Sequence, residues 1–163
     1  DARDTAKIVG LAAIKYGDLS NQATKDYIFD VDRFTSFEGN TGPYILYTIV
    51  RIKSILNRYV EAGGNLEAGE ILPASNGSEK NLMLQLSGFG SMIESAFEEK
   101  APHKICAYIY EVSNAFNSFY HETKILSEEN QAQKESYIRL LQLTKRVLET
   151  SIDLLGFEAP DKM

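Results

Sequence analysis

Residues 36–58, SFEGNTGPYILYTIVRIKSILNR, are the most informative stretch of this chain. A Gly-rich turn at residues 39–42 runs into Pro43, and a helical pattern follows without interruption. Proline is favoured at the first helical position because its missing N–H would be unpaired there in any case. The stretch therefore predicts a turn followed by a helix over about residues 43–61.

The predicted helix has two unlike faces. Apolar side chains recur at helical spacing along one stripe, which consists of Ile45, Ile49, Ile52, Leu56 and Tyr59. A second stripe, roughly 150° away at about 100° per residue, consists of Tyr44, Tyr47, Arg51, Ser54 and Arg58. Single-stranded nucleic acid needs rings that stack on bases and positive charges that meet phosphates. The second stripe is therefore a candidate nucleic-acid surface, but Tyr and Arg also pack well against a neighbouring domain.

The composition is that of a globular domain. The 163 residues suffice for a single core, and 44% of them are hydrophobic and 25% charged. No apolar run approaches the ~20 residues that span a bilayer, and the charged N-terminus does not read as a secretory signal. The single cysteine, Cys106, excludes an internal disulfide framework and suggests a reducing compartment. We therefore expect a cytoplasmic protein with no membrane partner.

The net charge of −6 argues against a stand-alone nucleic-acid binder. Modules of that class usually carry an excess of Lys and Arg. Any binding of nucleic acid must therefore rely on local clustering of positive charge.

The first third of the chain predicts one helix and at most one strand. A helical pattern covers about residues 4–16, and residues 19–25 are polar and turn-prone. Tyr27, Phe29 and Val31 alternate with the residues between them, which is the period of a short strand near residues 27–31.

Four helices account for the chain from about residue 43. Residues 62–78 are rich in Gly and predict an exposed, mobile loop, after which Ser78 is a candidate cap. The next helix presents a single face, formed by Leu82, Leu86, Phe89, Ile93 and Phe97. A third helix begins at Pro102, and the last, capped by Ser127, ends before Gly156. The short segments 102–126 and 127–156 predict antiparallel neighbours in a helical bundle.

The sequence contains no pattern that predicts catalysis or metal binding. His103 and Cys106 lack a matching second pair, and His121 with Glu122 lacks the second histidine of a zinc protease motif. The turn at residues 39–42 has neither the G-x-G-x-x-G spacing nor the following Lys-Ser/Thr by which phosphate-binding glycine loops are recognised. We therefore expect no catalytic residue, no metal and no cofactor in this chain.

Longer segments resemble arginyl-tRNA synthetases. Residues 15–55, which include SFEGNTGPY, resemble the segment that leaves the catalytic domain and enters the anticodon-binding domain. Residues 103–126 and 139–163 resemble the rest of that domain, known as the DALR domain. The Cys106–Val112 run, the Phe119-Tyr120 pair and the LLGF…KM ending occur in the family's order.

The resemblance implies a mostly α fold, an antiparallel helical bundle of the class I synthetase anticodon-binding type. Residues 1–40 would be the C-terminal end of the catalytic domain and residues 41–163 the DALR domain. The His-x-Gly-His and Lys-Met-Ser-Lys-Ser-like signatures of this group are absent. We therefore expect an inactive fragment of an arginine–tRNA ligase, with ATP as a substrate of the parent enzyme only. Its expected partners are the arginine tRNA and the remainder of the catalytic domain, with no DNA.

The resemblance also implies a tRNA-binding set. In the family, aromatic residues after the turn, a later tyrosine and the terminal methionine approach the anticodon bases. The residues at those positions here are Tyr44, Tyr47, Tyr120 and Met163. Arg51 and Arg58 would serve phosphates. Three cations of the last helix are either further backbone contacts or a solvated surface: Arg139, Lys145 and Arg146.

Two other hypotheses stay open. A helical scaffold could use the Tyr and Arg face as the hot spot of a protein–protein interface. A DALR-type module of another synthetase, such as the cysteine enzyme, is the third hypothesis. The NTGPY turn and the Lys-Met tail favour the arginine member.

Overall fold

The structure, a computed structural model, describes all 163 residues and is mostly helical, with no strand. Seven helices follow one another: α1 (Ala2–Leu19), α2 (Val31–Phe34), α3 (Gly42–Glu61), α4 (Gly77–Ser87), α5 (Phe89–Glu98), α6 (Pro102–Glu122) and α7 (Gln131–Leu154). The prediction of a mostly α fold is confirmed. None of these helices has both the length and the apolar character of a membrane span.

One apolar core joins the long helices. α3 packs against α1, α6 and α7, while α4 and α5 cover α6. The whole apolar stripe predicted for α3 is buried, and it meets side chains such as Phe116 of α6 and Leu148 of α7. Burial of each large aliphatic side chain contributes roughly 1.5–3 kcal/mol. Side chains of α1 belong to the same core as those of the later helices. The domain boundary expected between residues 40 and 41 therefore stays a prediction.

The turn before α3 brings that helix close to α1. Thr41 caps α3, since its Oγ1 accepts a hydrogen bond from Tyr44 N at 3.2 Å, and Pro43 lies in the first turn. A Cβ at Gly42 would overlap the carbonyl oxygen of Ala12, so no larger residue fits there. The predicted turn and helix are thus confirmed, and the glycine serves the approach of α3 to α1.

The strand expected near residues 27–31 is wrong. Val31–Phe34 is a short helix, and Asp30 caps it by accepting a hydrogen bond from Arg33 N at 3.1 Å. A strand needs a neighbour for its backbone groups, and this segment has none. The alternating side chains lie at the surface instead, where Ile28 is 85% exposed.

Two of the predicted helix caps are also wrong. Asn76, not Ser78, caps α4, because Asn76 Oδ1 accepts a hydrogen bond from Glu79 N at 2.8 Å. Asn130, not Ser127, caps α7 in the same way. In both places two good capping residues lie within three positions, and tertiary packing selects between them.

The single helix predicted after residue 78 is two helices that meet at Gly88. The hydroxyl of Tyr108 on α6 donates to the carbonyl of Gln85 at 2.7 Å, at the last turn of α4. Because α4 ends at Gly88, the apolar face predicted for residues 82–97 does not continue through α5, and Phe97 is 84% exposed.

The connection at residues 62–76 is anchored to the bundle. Leu72 N donates to Ser136 Oγ at 2.9 Å, and Arg139 Nη1 donates to the carbonyl of Leu66 at 3.1 Å. Many of its residues are exposed, as the sequence predicts, but these two bonds tie its backbone to α7.

The C-terminal end of α7 follows the prediction. Gly156 has a φ of +84°, the left-handed conformation in which glycine is favoured. Phe157 N then donates back to the carbonyl of Ile152 at 3.1 Å, and the Phe157 ring is buried. This cap turns the tail back onto the core.

Candidate nucleic-acid interface

Tyr47 and Arg51 of α3 and Tyr120 of α6 form what we call the aromatic platform. The Arg51 Cζ lies 4.8 Å from the centre of the Tyr47 ring and 4.6 Å from that of Tyr120. Tyr47 and Arg51 are four residues apart, so one helix face presents both. Tyr47 is 42% exposed and Tyr120 is half-buried. Helices that are distant in sequence thus place two rings around one guanidinium.

Asn117 of α6 orients the guanidinium of the platform. Arg51 Nη1 donates to Asn117 Oδ1 at 2.6 Å, and Nη2 donates to Tyr47 Oη at 3.0 Å. These bonds use two of the five N–H donors of an arginine. Arg51 takes part in none of the ion pairs of the chain. A held, positively charged group with free donors therefore lies between two rings.

Tyr44 supports this arrangement from one turn away. Its hydroxyl donates to Asn114 Oδ1 at 2.7 Å and accepts from Asn117 Nδ2 at 3.0 Å, and its ring meets that of Tyr110 edge-on. Burial raises the pKa of Tyr44 above its usual value, against a smaller lowering by Asn117. The phenol therefore stays protonated, and Tyr44 links α3 to α6.

Asn114 and Asn117 were not among the predicted site residues. With Tyr120 they recur every three residues along α6 and make a polar stripe beside its apolar face. The three-residue spacing is visible in the sequence, but the helix against which this polar stripe packs is not. The structure shows that the polar stripe of α6 meets the Tyr and Arg stripe of α3.

Arg58 lies two turns beyond Arg51. Its side chain is exposed, and Nη2 donates to Ser54 Oγ at 3.2 Å. It lines a groove of about 470 Å³ that Tyr120 also borders. The groove therefore adjoins the aromatic platform, and the two predicted arginines lie along one continuous surface.

The tail that carries Met163 is tied to α3. Lys53 Nζ lies 3.3 Å from the carbonyl oxygen of Pro160 and 3.4 Å from Asp161 Oδ1. Met163 follows Asp161 by two residues and is 42% exposed. The tail is therefore held against α3 at Lys53, which lies on a different face of that helix from Tyr47 and Arg51.

The three cations of α7 have different surroundings. Arg139 pairs with Glu67 at 3.7 Å, and Lys145 pairs with Glu149 at 3.6 Å. Arg146 is exposed and forms no ion pair. Two of the three are therefore already paired with carboxylates, which fits a solvated surface better than a phosphate site.

Cys106 is sealed inside the bundle. Its burial raises the pKa of the thiol to about 12, so the thiol stays protonated at neutral pH. Nucleophilic chemistry needs the thiolate. No three His, Cys, Asp or Glu side chains come together in a metal-binding group.

The sequence of this chain was compared with protein families and with known proteins. The model of the DALR anticodon binding domain matches residues 45–163. An arginine–tRNA ligase of Agathobacter rectalis is 70% identical over 165 residues, which cover all of this chain and 28% of that protein. The corresponding ligase of Alkaliphilus oremlandii is 56% identical over 98% of this chain and 27% of its own length. The chain thus spans about 28% of the curated relatives that it matches.

Solved structures have the same architecture. The arginyl-tRNA synthetase of Thermus thermophilus superposes on the whole chain with a TM-score of 0.90 and 30% identity, over 28% of its own chain. That of Plasmodium falciparum gives a TM-score of 0.81 and 31% identity, over 94% of this chain and 27% of its own. Because the family model covers well over half of the residues, this chain belongs to the DALR anticodon binding domain family.

Proposed function

We propose that this chain is the anticodon-binding part of an arginyl-tRNA synthetase. The aromatic platform contacts unpaired bases of the anticodon loop of the arginine tRNA. Tyr44 holds the platform to α6, and Met163 approaches the same bases from the tail. In the parent enzyme, which uses ATP to attach arginine to its tRNA, the chemistry takes place outside these 163 residues.

The observation that carries this proposal is the oriented, unpaired guanidinium of Arg51 between two rings. A base–aromatic stack contributes about 1–3 kcal/mol per base. Because Asn117 already fixes the guanidinium, less side-chain entropy is lost when a base binds. In a chain with a net charge of −6, such a local positive site gives RNA a defined place to bind.

The proposal includes attachment to the rest of the synthetase. Large apolar side chains cluster at the surface between α1 and α3, with Ile28 85% exposed and Phe29, Val31 and Phe37 at least half exposed. Exposed apolar patches of this kind mark interaction surfaces. This patch is the proposed contact with the catalytic domain. A cytoplasmic location belongs to the same proposal and rests on the single, free cysteine.

Replacement of Tyr120 tests the proposed function. Tyr120→Ala in the full chain removes one ring of the platform, so it weakens binding of the arginine tRNA by about 1–3 kcal/mol, or roughly 5- to 150-fold. Tyr27→Ala, at an exposed tyrosine far from the platform in sequence, is the matched control and leaves the affinity unchanged. Fluorescence anisotropy with labelled tRNA measures both variants.

The same titration with an unrelated tRNA tests whether binding is specific for the arginine tRNA. Binding of neither tRNA at low salt contradicts the proposal and favours the protein-binding scaffold. Equal binding of both tRNAs contradicts recognition of the arginine anticodon. In the whole synthetase, Tyr120→Ala raises the KM for tRNA and leaves ATP-dependent arginine activation unchanged. An equal loss in the activation step would contradict a role in anticodon binding.

A further inference from the structure

The groove beyond Tyr120, which we call the basic groove, carries positive charge and no carboxylate. Arg58, His121 and Lys124 supply its nitrogen atoms, and Thr123 and Ser127 supply hydroxyls. Its remaining lining is apolar, apart from Tyr120. The groove lies where α6 ends, against the second half of α3.

The cations of the basic groove have no acidic partners. Arg58 bonds only to the Ser54 hydroxyl, and neither Arg58 nor Lys124 takes part in an ion pair. The ion pairs of the chain involve other cations: Lys53, Lys104, Arg139 and Lys145. In a chain with six more negative than positive charges, a groove lined by two cations and by no carboxylate is a local concentration of positive charge.

Tyr120 connects the basic groove to the aromatic platform. Its ring lies 4.6 Å from the Arg51 Cζ and also borders the groove, and the His121 ring meets it edge-on at 5.3 Å. Thr123 Oγ1 accepts a hydrogen bond from Asn76 Nδ2, so its own proton is free to donate. A strand whose bases stack on the platform therefore has cations and hydroxyl donors directly beside it.

We propose that the basic groove holds the sugar–phosphate backbone of the RNA whose bases contact the platform. Arg58 and Lys124 each neutralise one phosphate, and Thr123 donates to a phosphate oxygen. The path of the strand then runs from Tyr47 past Tyr120 to Lys124. This inference rests on the proposed function, since the platform supplies the bases. It adds Lys124 and Thr123, which neither the sequence pattern nor the family resemblance singled out.

The salt dependence of binding tests the groove. The probe is an RNA hairpin with the anticodon stem and loop of an arginine tRNA, titrated with the full chain at several salt concentrations. Each phosphate contact in single-stranded RNA contributes about 0.7 to the slope of log affinity against log salt. Arg58→Gln with Lys124→Gln therefore lowers the magnitude of the slope by about 1.4. Lys124→Glu alone lowers it as well and weakens binding further at low salt.

The matched control is Arg3→Gln with Lys7→Gln, which removes the same two charges from exposed positions on α1. This control leaves the slope within about 0.3 of the wild-type value, well under one phosphate contact. Thermal unfolding of every variant verifies that the fold is intact, which is expected because Arg58 and Lys124 are exposed.

The outcomes separate the groove from the platform. If the wild type binds and Tyr120→Ala weakens binding, but the Arg58 and Lys124 variants keep the wild-type slope, the groove assignment is overturned and the proposed function stands. If the wild type does not bind the hairpin, the proposed function fails first. Binding of polyglutamate that is lost in the groove variants, with an unchanged RNA slope, assigns the groove to an acidic protein and also overturns the inference.

Discussion

The two faces of α3 are held in place by different forces. On the inner face, Ile45, Ile49 and Ile52 are fully buried among apolar side chains. On the outer face, the Arg51 guanidinium lies against the rings of Tyr47 and Tyr120 and donates one hydrogen bond to Asn117 and one to Tyr47. The inner face stabilises the bundle through non-directional burial, whereas the outer face has directional groups with capacity left for a ligand.

This difference has a consequence for variants. Changes on the inner face lower stability and with it every function of the chain, while changes on the outer face affect binding with little effect on folding. The two stripes lie about 150° apart, on nearly opposite sides of α3, so a substitution in one stripe removes few contacts of the other. Three substitutions test this separation, and they are given in order of decreasing effect on stability.

Ile49→Ala tests the inner face. Loss of a fully buried isoleucine removes its transfer free energy and leaves a cavity, so the free energy of unfolding falls by about 2–5 kcal/mol. Urea denaturation followed by circular dichroism measures the loss. Val60→Ala, at a 47% exposed position of the same helix, is the control and changes stability by less than about 0.5 kcal/mol. Similar effects of the two changes would mean that α3 is not the central core helix.

Thr41→Ala tests the start of α3, which both faces share. The change removes the hydroxyl that accepts from Tyr44 N, so the free energy of unfolding falls by about 1–2 kcal/mol. Thr41→Ser keeps the hydroxyl and restores most of that stability. If serine fails to do so, the role of Thr41 is its buried methyl group and not the cap.

Arg51→Lys tests the outer face. Lysine keeps the charge but lacks the planar fork that stacks between two rings and bonds to Asn117 and Tyr47. The free energy of unfolding changes by less than about 1 kcal/mol, because the platform is partly exposed. Binding of the arginine tRNA weakens by about 1 kcal/mol, while the salt slope stays the same. Full retention of the affinity would show that the positive charge at position 51 is sufficient for tRNA binding.

Much of the fold could be predicted from local patterns. The 3.6-residue period of α3, the Pro43 start and the Gly156 end each depend on residues within a few positions, and all three are confirmed. The caps at Asn76 and Asn130 could not be chosen, because Ser78 and Ser127 satisfy the same local rule. The strand near residues 27–31 failed for a related reason, since period-2 alternation stabilises a strand only when another strand pairs with it.

The candidate site divides in the same way. Which residues share the outer face of α3 follows from helical spacing, and Tyr47 and Arg51 could be named before any coordinates. Asn117 could not be named, because its role depends on a contact between residues that are 66 positions apart. The basic groove likewise needs α3 and the end of α6 side by side.

The long helices, the two stripes of α3 and, through resemblance, the family follow from local sequence patterns. Three features follow only from the packing of distant segments: Arg51 is shared between rings of two helices, Arg58 and Lys124 lie in one groove, and the loop at 62–76 is anchored to α7. The physical reason is the range of the interactions. Helical periodicity acts over a few residues, whereas the packing angle of α3 against α6 is set by the volume of the whole core.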